Sequence, residues 1–191
     1  MQATLNPVTV YTEMTPNPET MKFVCDKLLL ASGNADFPDI DSAKLSPLAS
    51  ELFGFPFVKS VFVMNNFITL TRQPDVDWYE VMPQLRDFIR QYLEAGKEIF
   101  SKDFVPVKSA VESNSNTENR IKEVLDKYVK PAVEMDGGAI HFRSFIDGKL
   151  RLTMQGSCSG CPSSVVTLKA GIENLMKQMV PEVQEVLADD N

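Results

Sequence analysis

Residues 139–164 read AIHFRSFIDGKLRLTMQGSCSGCPSS, and their reading decides the fold of the second half of the chain. Two runs rich in Ile, Phe and Leu flank Asp147-Gly148, the signature of a hairpin. The register carries information. A two-residue Asp147-Gly148 loop pairs Phe145 with Leu150 and puts Leu152 opposite Arg143. Ile140, Phe142 and Ile146 then face away from Leu150, Leu152 and Met154. A three-residue loop, Asp147–Lys149, or a bulge brings both sets to one face, and burial favours that register. Two cysteines follow, Cys158 and Cys161, three positions apart among small residues. Pro162 suits the first position of a helix and makes Cys161 its N-cap. That helix is expected from about Ser163 to Met179, with Val165, Leu168, Ile172, Leu175 and Met179 inward.

Working outward, PEVQEVL at 181–187 reads as a short final strand. Upstream, Ser115 and Glu118 have capping-box spacing. The helix they open places Ile121, Val124, Leu125, Tyr128, Val129 and Ala132 on one face, and Pro131 should kink it. Gly137-Gly138 ends it. The polar SNSN run closes a segment that cannot bury enough surface to order itself, so a linker is expected at 103–116. The second domain is then 117–191 and the first 1–102. In the first, Val8–Glu13 and residues 21–25 read as strands around a TPNP turn. Ser46 and Pro47 start a helix over SPLASELF. VKSVFVM and FITLTR form a hairpin about Asn65-Asn66. Asp77 and Glu80 precede a helix striped with Trp78, Val81, Met82, Leu85, Phe88, Ile89 and Tyr92, a face that packs on its own sheet. The expected class is α+β: two small domains, each a small, mostly antiparallel sheet packed with helices, joined by a flexible linker.

Composition narrows the function. The chain has 191 residues, 43% of them hydrophobic, and 19 basic against 26 acidic side chains, a net charge of −7. That balance argues against nucleic acid, which asks for a basic footprint. No apolar run approaches the roughly 20 residues that cross a bilayer. The N-terminus has neither a basic nor an apolar export region, so no export signal is expected. Three cysteines, an odd and low count, fit a reducing compartment, and the expected location is cytoplasmic.

The chemistry lies in the pair. The first turn of a helix leaves backbone N–H groups unpaired and carries partial positive charge, both of which favour thiolate. Gly156 and Gly160 allow close approach of a bulky ligand. Three readings stay open: a thiol–disulfide redox pair, half a zinc site, or half an iron–sulfur site. Zinc and the common clusters each take four ligands. His141, the only histidine, falls on the strand face opposite Ile140 and Phe142 and reads as an exposed strand residue. Cys25 stands among hydrophobic neighbours and reads as structural. A two-fold dimer is the simplest source of four sulfurs.

The motifs also carry a resemblance. DGGAI (136–140), the hairpin, L-x-M-x-G-S-C-S-G-C-P-S-S-x-V-T-L-K-x-G-I-E (152–173) and P-E-V (181–183) resemble the C-terminal domain of NifU-like, Nfu-type proteins. TPNPETMKF, SPLASELF, VFVMNNFITLTR and the Asp77-Trp78 helix start resemble the Nfu N-terminal domain. The resemblance implies an iron–sulfur cluster scaffold or carrier rather than an enzyme. It implies Cys158 and Cys161 as the cluster and metal ligands, with a cluster, [4Fe–4S] rather than [2Fe–2S], bridging a homodimer. It implies upstream cluster assembly proteins as donors and apo iron–sulfur proteins as acceptors. The family's N-terminal domain holds no ligands and is thought to help recognise partners. Many relatives have Pro-Gly where this chain has Cys25-Asp26. The assembly and ferredoxin-like domains of longer NifU proteins are not seen, so carriage is expected more than assembly. The alternative is a thiol–disulfide oxidoreductase using the same pair.

Overall fold

The computed structural model describes residues 7–107, 115–159 and 162–189, without the side chains of 162–165. The chain forms two compact units, Met1–Lys108 and Ser109–Asn191. Among the described residues each unit has its own sheet and its own apolar cluster, and the class is α+β. No helix among them is long and apolar enough to cross a membrane.

The first unit is built on an antiparallel sheet of β1 (Val10–Met14), β2 (Thr20–Cys25), β3 (Asn34–Phe37), β4 (Val58–Met64) and β5 (Phe67–Arg72), in the order β1-β2-β5-β4-β3. The β4–β5 turn is the expected Asn65-Asn66, with Asn65 at φ 47. Asparagine tolerates that left-handed angle better than other residues with a side chain. Helix α1 (Pro47–Leu52) starts as expected, the Ser46 hydroxyl accepting from the Ala49 N–H. Helix α2 (Trp78–Glu94) is capped by Asp77, which accepts from the Tyr79 N–H. Its buried face is Val81, Leu85, Ile89, Tyr92 and Leu93. Strand β3 was not anticipated: Asn34–Phe37 is short and holds two polar residues, so alternation is faint. It pairs with Val107, the Asn34 N–H donating to the Val107 carbonyl (3.1 Å) and the Val107 N–H to the Asn34 carbonyl (2.9 Å). Phe104 stacks on Phe100, centroids 4.3 Å apart. Residues 104 and 107 of the expected linker thus pack with the first unit, and 108–114 lie outside the described residues.

The second unit opens with α3 (Asn116–Val124), capped by Ser115, whose hydroxyl accepts from the Glu118 N–H. A π turn, Leu125–Val129, and α4 (Lys130–Met135) continue it. Pro131 was expected to kink this helix; what the structure shows at that point is the π turn just before it. Proline cannot donate to the carbonyl four residues back and crowds it, so one extra residue enters the turn just before it. The inward face shifts with the extra residue. Leu125, Val129 and Val133 are buried, while Tyr128 is 46% exposed and Ala132 is exposed, against the expected stripe. Strands β6 (Gly138–Ile146) and β7 (Lys149–Gly156) form the hairpin, and β8 (Glu185–Asp189) lies parallel to β7. The loop has two residues, with Asp147 and Gly148 at φ 51 and 77. A bulge at Arg143 then restores the register, so Phe142 meets Leu152 while Phe145 still meets Leu150. The bulge was one of the two anticipated solutions. Ile146, expected inward, is 65% exposed beside the turn. Helix α5 (Pro162–Met179) buries Ile172 and Met176. Met179, expected inward, is exposed at the helix end.

Candidate functional site

The cysteine loop lies where β7 passes into α5, and the helix-to-strand turn at 136–138 stands directly behind it. Helix α4 ends there because Gly137 adopts φ +84 and donates its N–H to the Glu134 carbonyl. One glycine suffices for such a cap. Gly138 serves another purpose. It pairs with Gly156 in the last rung of β6–β7. A Cβ on it would lie 2.7 Å from the Gln155 carbonyl oxygen, 2.8 Å from Cys158 Sγ and 3.2 Å from Ser157 Oγ. The cysteine loop therefore rests on a position that only glycine fits.

Ser157 fastens the loop to that turn. Its N–H donates to the Gly137 carbonyl at 3.2 Å, and its hydroxyl to the Asp136 carbonyl at 2.6 Å. Gly156, at φ +66, lets β7 turn out of the sheet. The turn is closed by Ser159, whose N–H (3.2 Å) and hydroxyl (2.9 Å) both donate to the Gly156 carbonyl.

These contacts send the Cys158 side chain inward. It is 7% exposed and belongs to the apolar cluster of Ile140, Met154 and Ile172. Burial pushes its thiol up to about 11, the Ser157 hydroxyl 3.9 Å from sulfur partly offsets this, and the Asp136 charge adds to the rise. At Cys158 burial thus opposes the expected preference for thiolate, raising the pKa by more than the Ser157 hydroxyl lowers it. Cys161, Gly160 and the expected N-cap lie outside the described residues, so Cys158 is the member of the pair whose surroundings are defined.

His141 is half-buried rather than fully exposed, with Nε2 3.1 Å from Gln155 Oε1. Burial and then the Lys130 charge lower its pKa, while the Gln155 bond opposes them. Cys25 is 1% exposed in the core of the first unit, and burial lifts its thiol to about 12, with Asp26 adding to the effect. Among the described residues no group of three or more His, Cys, Asp or Glu side chains could hold a metal ion. Ser157 and Gly138 were not singled out as partners of the thiol from the sequence. The available signal was the doubled glycine, one more than a helix cap needs.

Comparison with known proteins follows the same division. Residues 10–96 match the family described as "Scaffold protein Nfu/NifU N terminal", and residues 121–187 match the "NifU-like domain". The chain is 37% identical over 178 residues to the Homo sapiens "NFU1 iron-sulfur cluster scaffold homolog, mitochondrial", covering 93% of this chain and 70% of that one. It is 39% identical to the protein of the same name from Drosophila willistoni, over 93% of this chain and 62% of the relative. With the Arabidopsis thaliana "NifU-like protein 4, mitochondrial" it shares 39% identity, over 93% and 64% respectively. The chain thus spans about two thirds of the length of these relatives. All three are named mitochondrial, which overturns the cytoplasmic expectation. A low cysteine count marks a reducing environment and does not distinguish one reducing compartment from another. With an Nfu N-terminal domain followed by a NifU-like domain, and relatives matched through both, the chain belongs to the NifU-like, Nfu-type family.

Proposed function

We propose that the chain is an iron–sulfur cluster carrier. Two copies hold one cargo cluster of the [4Fe–4S] type between the Cys158 and Cys161 thiolates of each. They receive it from upstream assembly proteins and pass it to apo-proteins. The observation that carries this reading is the place of the thiols: a small-residue loop between β7 and α5, in a chain whose relatives are named iron–sulfur cluster scaffolds. Two thiols per chain cannot fill the four positions of a common cluster, and a second copy supplies two more through symmetry. Release is ligand exchange. An acceptor thiolate binds an iron as one carrier sulfur leaves, so cluster and charge move without a change of oxidation state.

Anaerobic reconstitution tests the reading. The loaded protein should contain about two irons and two sulfides per chain, and its native mass should be that of two chains with one cluster. Cys158→Ser and Cys161→Ser should each abolish loading, whereas Cys25→Ser should keep it. A whole cluster on a single chain would overturn the shared site. Loss of loading in Cys25→Ser alone would overturn the ligand assignment.

A further inference from the structure

We propose that Ser157 and Gly138 form a latch that holds the Cys158 sulfur inside its own unit, and that opening this latch limits how fast the loop takes up iron. The second half rests on the carrier reading; the first stands on geometry alone. A cargo shared by two chains sits on a surface that both can reach. Cys158 is 7% exposed, within an apolar cluster. It reaches that position because the residue before it is tied twice to the end of α4, by the hydroxyl to Asp136 and by the N–H to Gly137. It stays there because Gly138 leaves a space that a Cβ would fill. The rest of the turn does not depend on these ties, since Ser159 closes it onto Gly156. Loss of the Ser157 ties to Asp136 and Gly137 is therefore the step that lets the thiol swing outward with β6–β7 left paired. Ser157 and Gly138 are positioning residues, acting through Cys158.

The test uses the full chain with Cys25→Ser and Cys161→Ser, so that Cys158 is the lone thiol. N-ethylmaleimide labels it at one neutral pH, in native buffer and in denaturing urea. The native chain should label at least about tenfold more slowly than the unfolded one. Ser157→Ala should speed native labelling about five- to tenfold through loss of one tie. Ile121→Val, a buried change in the same core away from the latch, should lower the urea midpoint without this acceleration. Equal acceleration in both variants, once matched for urea midpoint, would mean that the thiol is reached by global unfolding, and the latch would fall. Native labelling as fast as in urea would also overturn it. Should Ser157→Ala not fold, hydrogen exchange decides in the unsubstituted chain. The Ser157 amide should exchange faster than those of Leu152 and Met154, and equal protection would exclude a local latch. In chains with Cys158 and Cys161 both present, Ser157→Ala should take up iron and sulfide faster to the same final content. Faster labelling with unchanged uptake would overturn the rate-limiting role. Failure of every chain to load would overturn the carrier reading, while the labelling result would still decide the latch.

Discussion

Two glycines stand side by side at 137 and 138 for different reasons. Gly137 supplies a positive φ that ends α4. Gly138 supplies room, and the nearest atom that a methyl group would meet is the backbone oxygen of Gln155, which no rotamer change can move. Gly138→Ala should therefore cost about 1–3 kcal/mol through forced backbone shift and expose Cys158, both measurable as a lower urea midpoint and faster maleimide labelling. Cys25 allows a prediction in pH. Its thiol is lifted from 9.0 to about 12 by burial and then by Asp26. The folded chain keeps that proton where the unfolded chain gives it up, so the unfolded state binds fewer protons. Stability contributed by Cys25 is then fully present below about pH 9 and is lost as pH rises toward 12. Cys25→Ala should show a shallower alkaline fall in urea midpoint than the parent chain, and a parallel fall would refute the assignment. Tyr92, also raised to about 12, is common to both chains and cancels in the comparison.

At the scale of the element, the helix from Asn116 to Met135 shows how one proline resets a face. A straight α-helix would turn Tyr128 and Ala132 toward the sheet. With the π turn before Pro131, Val129 stays inward as expected, Val133 is buried in place of Ala132, and Tyr128 is exposed. Val133→Ala should cost about 1–2.5 kcal/mol as a buried truncation. Tyr128→Ala, at an exposed site, should stay within about 0.5 kcal/mol. Urea unfolding of the two variants measures the difference, and the reverse order would restore the regular register. The hairpin makes the same point. The Asp147-Gly148 turn fixes a two-residue loop, and the extra residue at Arg143 lets Ile140 and Phe142 share the core face with Leu152 and Met154.

At the scale of the molecule, two units with separate cores should respond separately. Ser46 lies wholly buried in the first unit, its hydroxyl accepting from the Ala49 N–H and donating to the Ile99 carbonyl at 2.7 Å. Ser46→Ala should cost about 1–2 kcal/mol, since it removes a cap and leaves a carbonyl without that donor. The loss should appear in the unfolding of the first unit, followed by Trp78 fluorescence, and not in that of the second. A fragment of residues 115–191 should fold alone and take up cluster with the same iron per chain as the whole protein. A fragment with native circular dichroism that fails to load would place part of the site in the first unit.

Periodicity and cap chemistry, which are local, determined much of this protein from sequence alone. Ser46, Asp77 and Ser115 start helices where side-chain oxygens meet unpaired N–H groups, and Asn65-Asn66 and Asp147-Gly148 turn hairpins through angles that few residues accept. The Cys158–Cys161 spacing and its motif were likewise legible, and they led to the family. Packing between elements distant in sequence decided the rest. Strand β3 exists because β4 and Val107 supply its hydrogen bonds on either side. Met176 and Val180, four and eight residues after Ile172, share its buried face, and Met179 lies off that face. Cys158 points inward because Gly138, twenty residues earlier in the chain, makes space for its sulfur and the Asp136 carbonyl holds the serine beside it. A thiol's surroundings are a property of what folds against it, and no spacing within one loop encodes them.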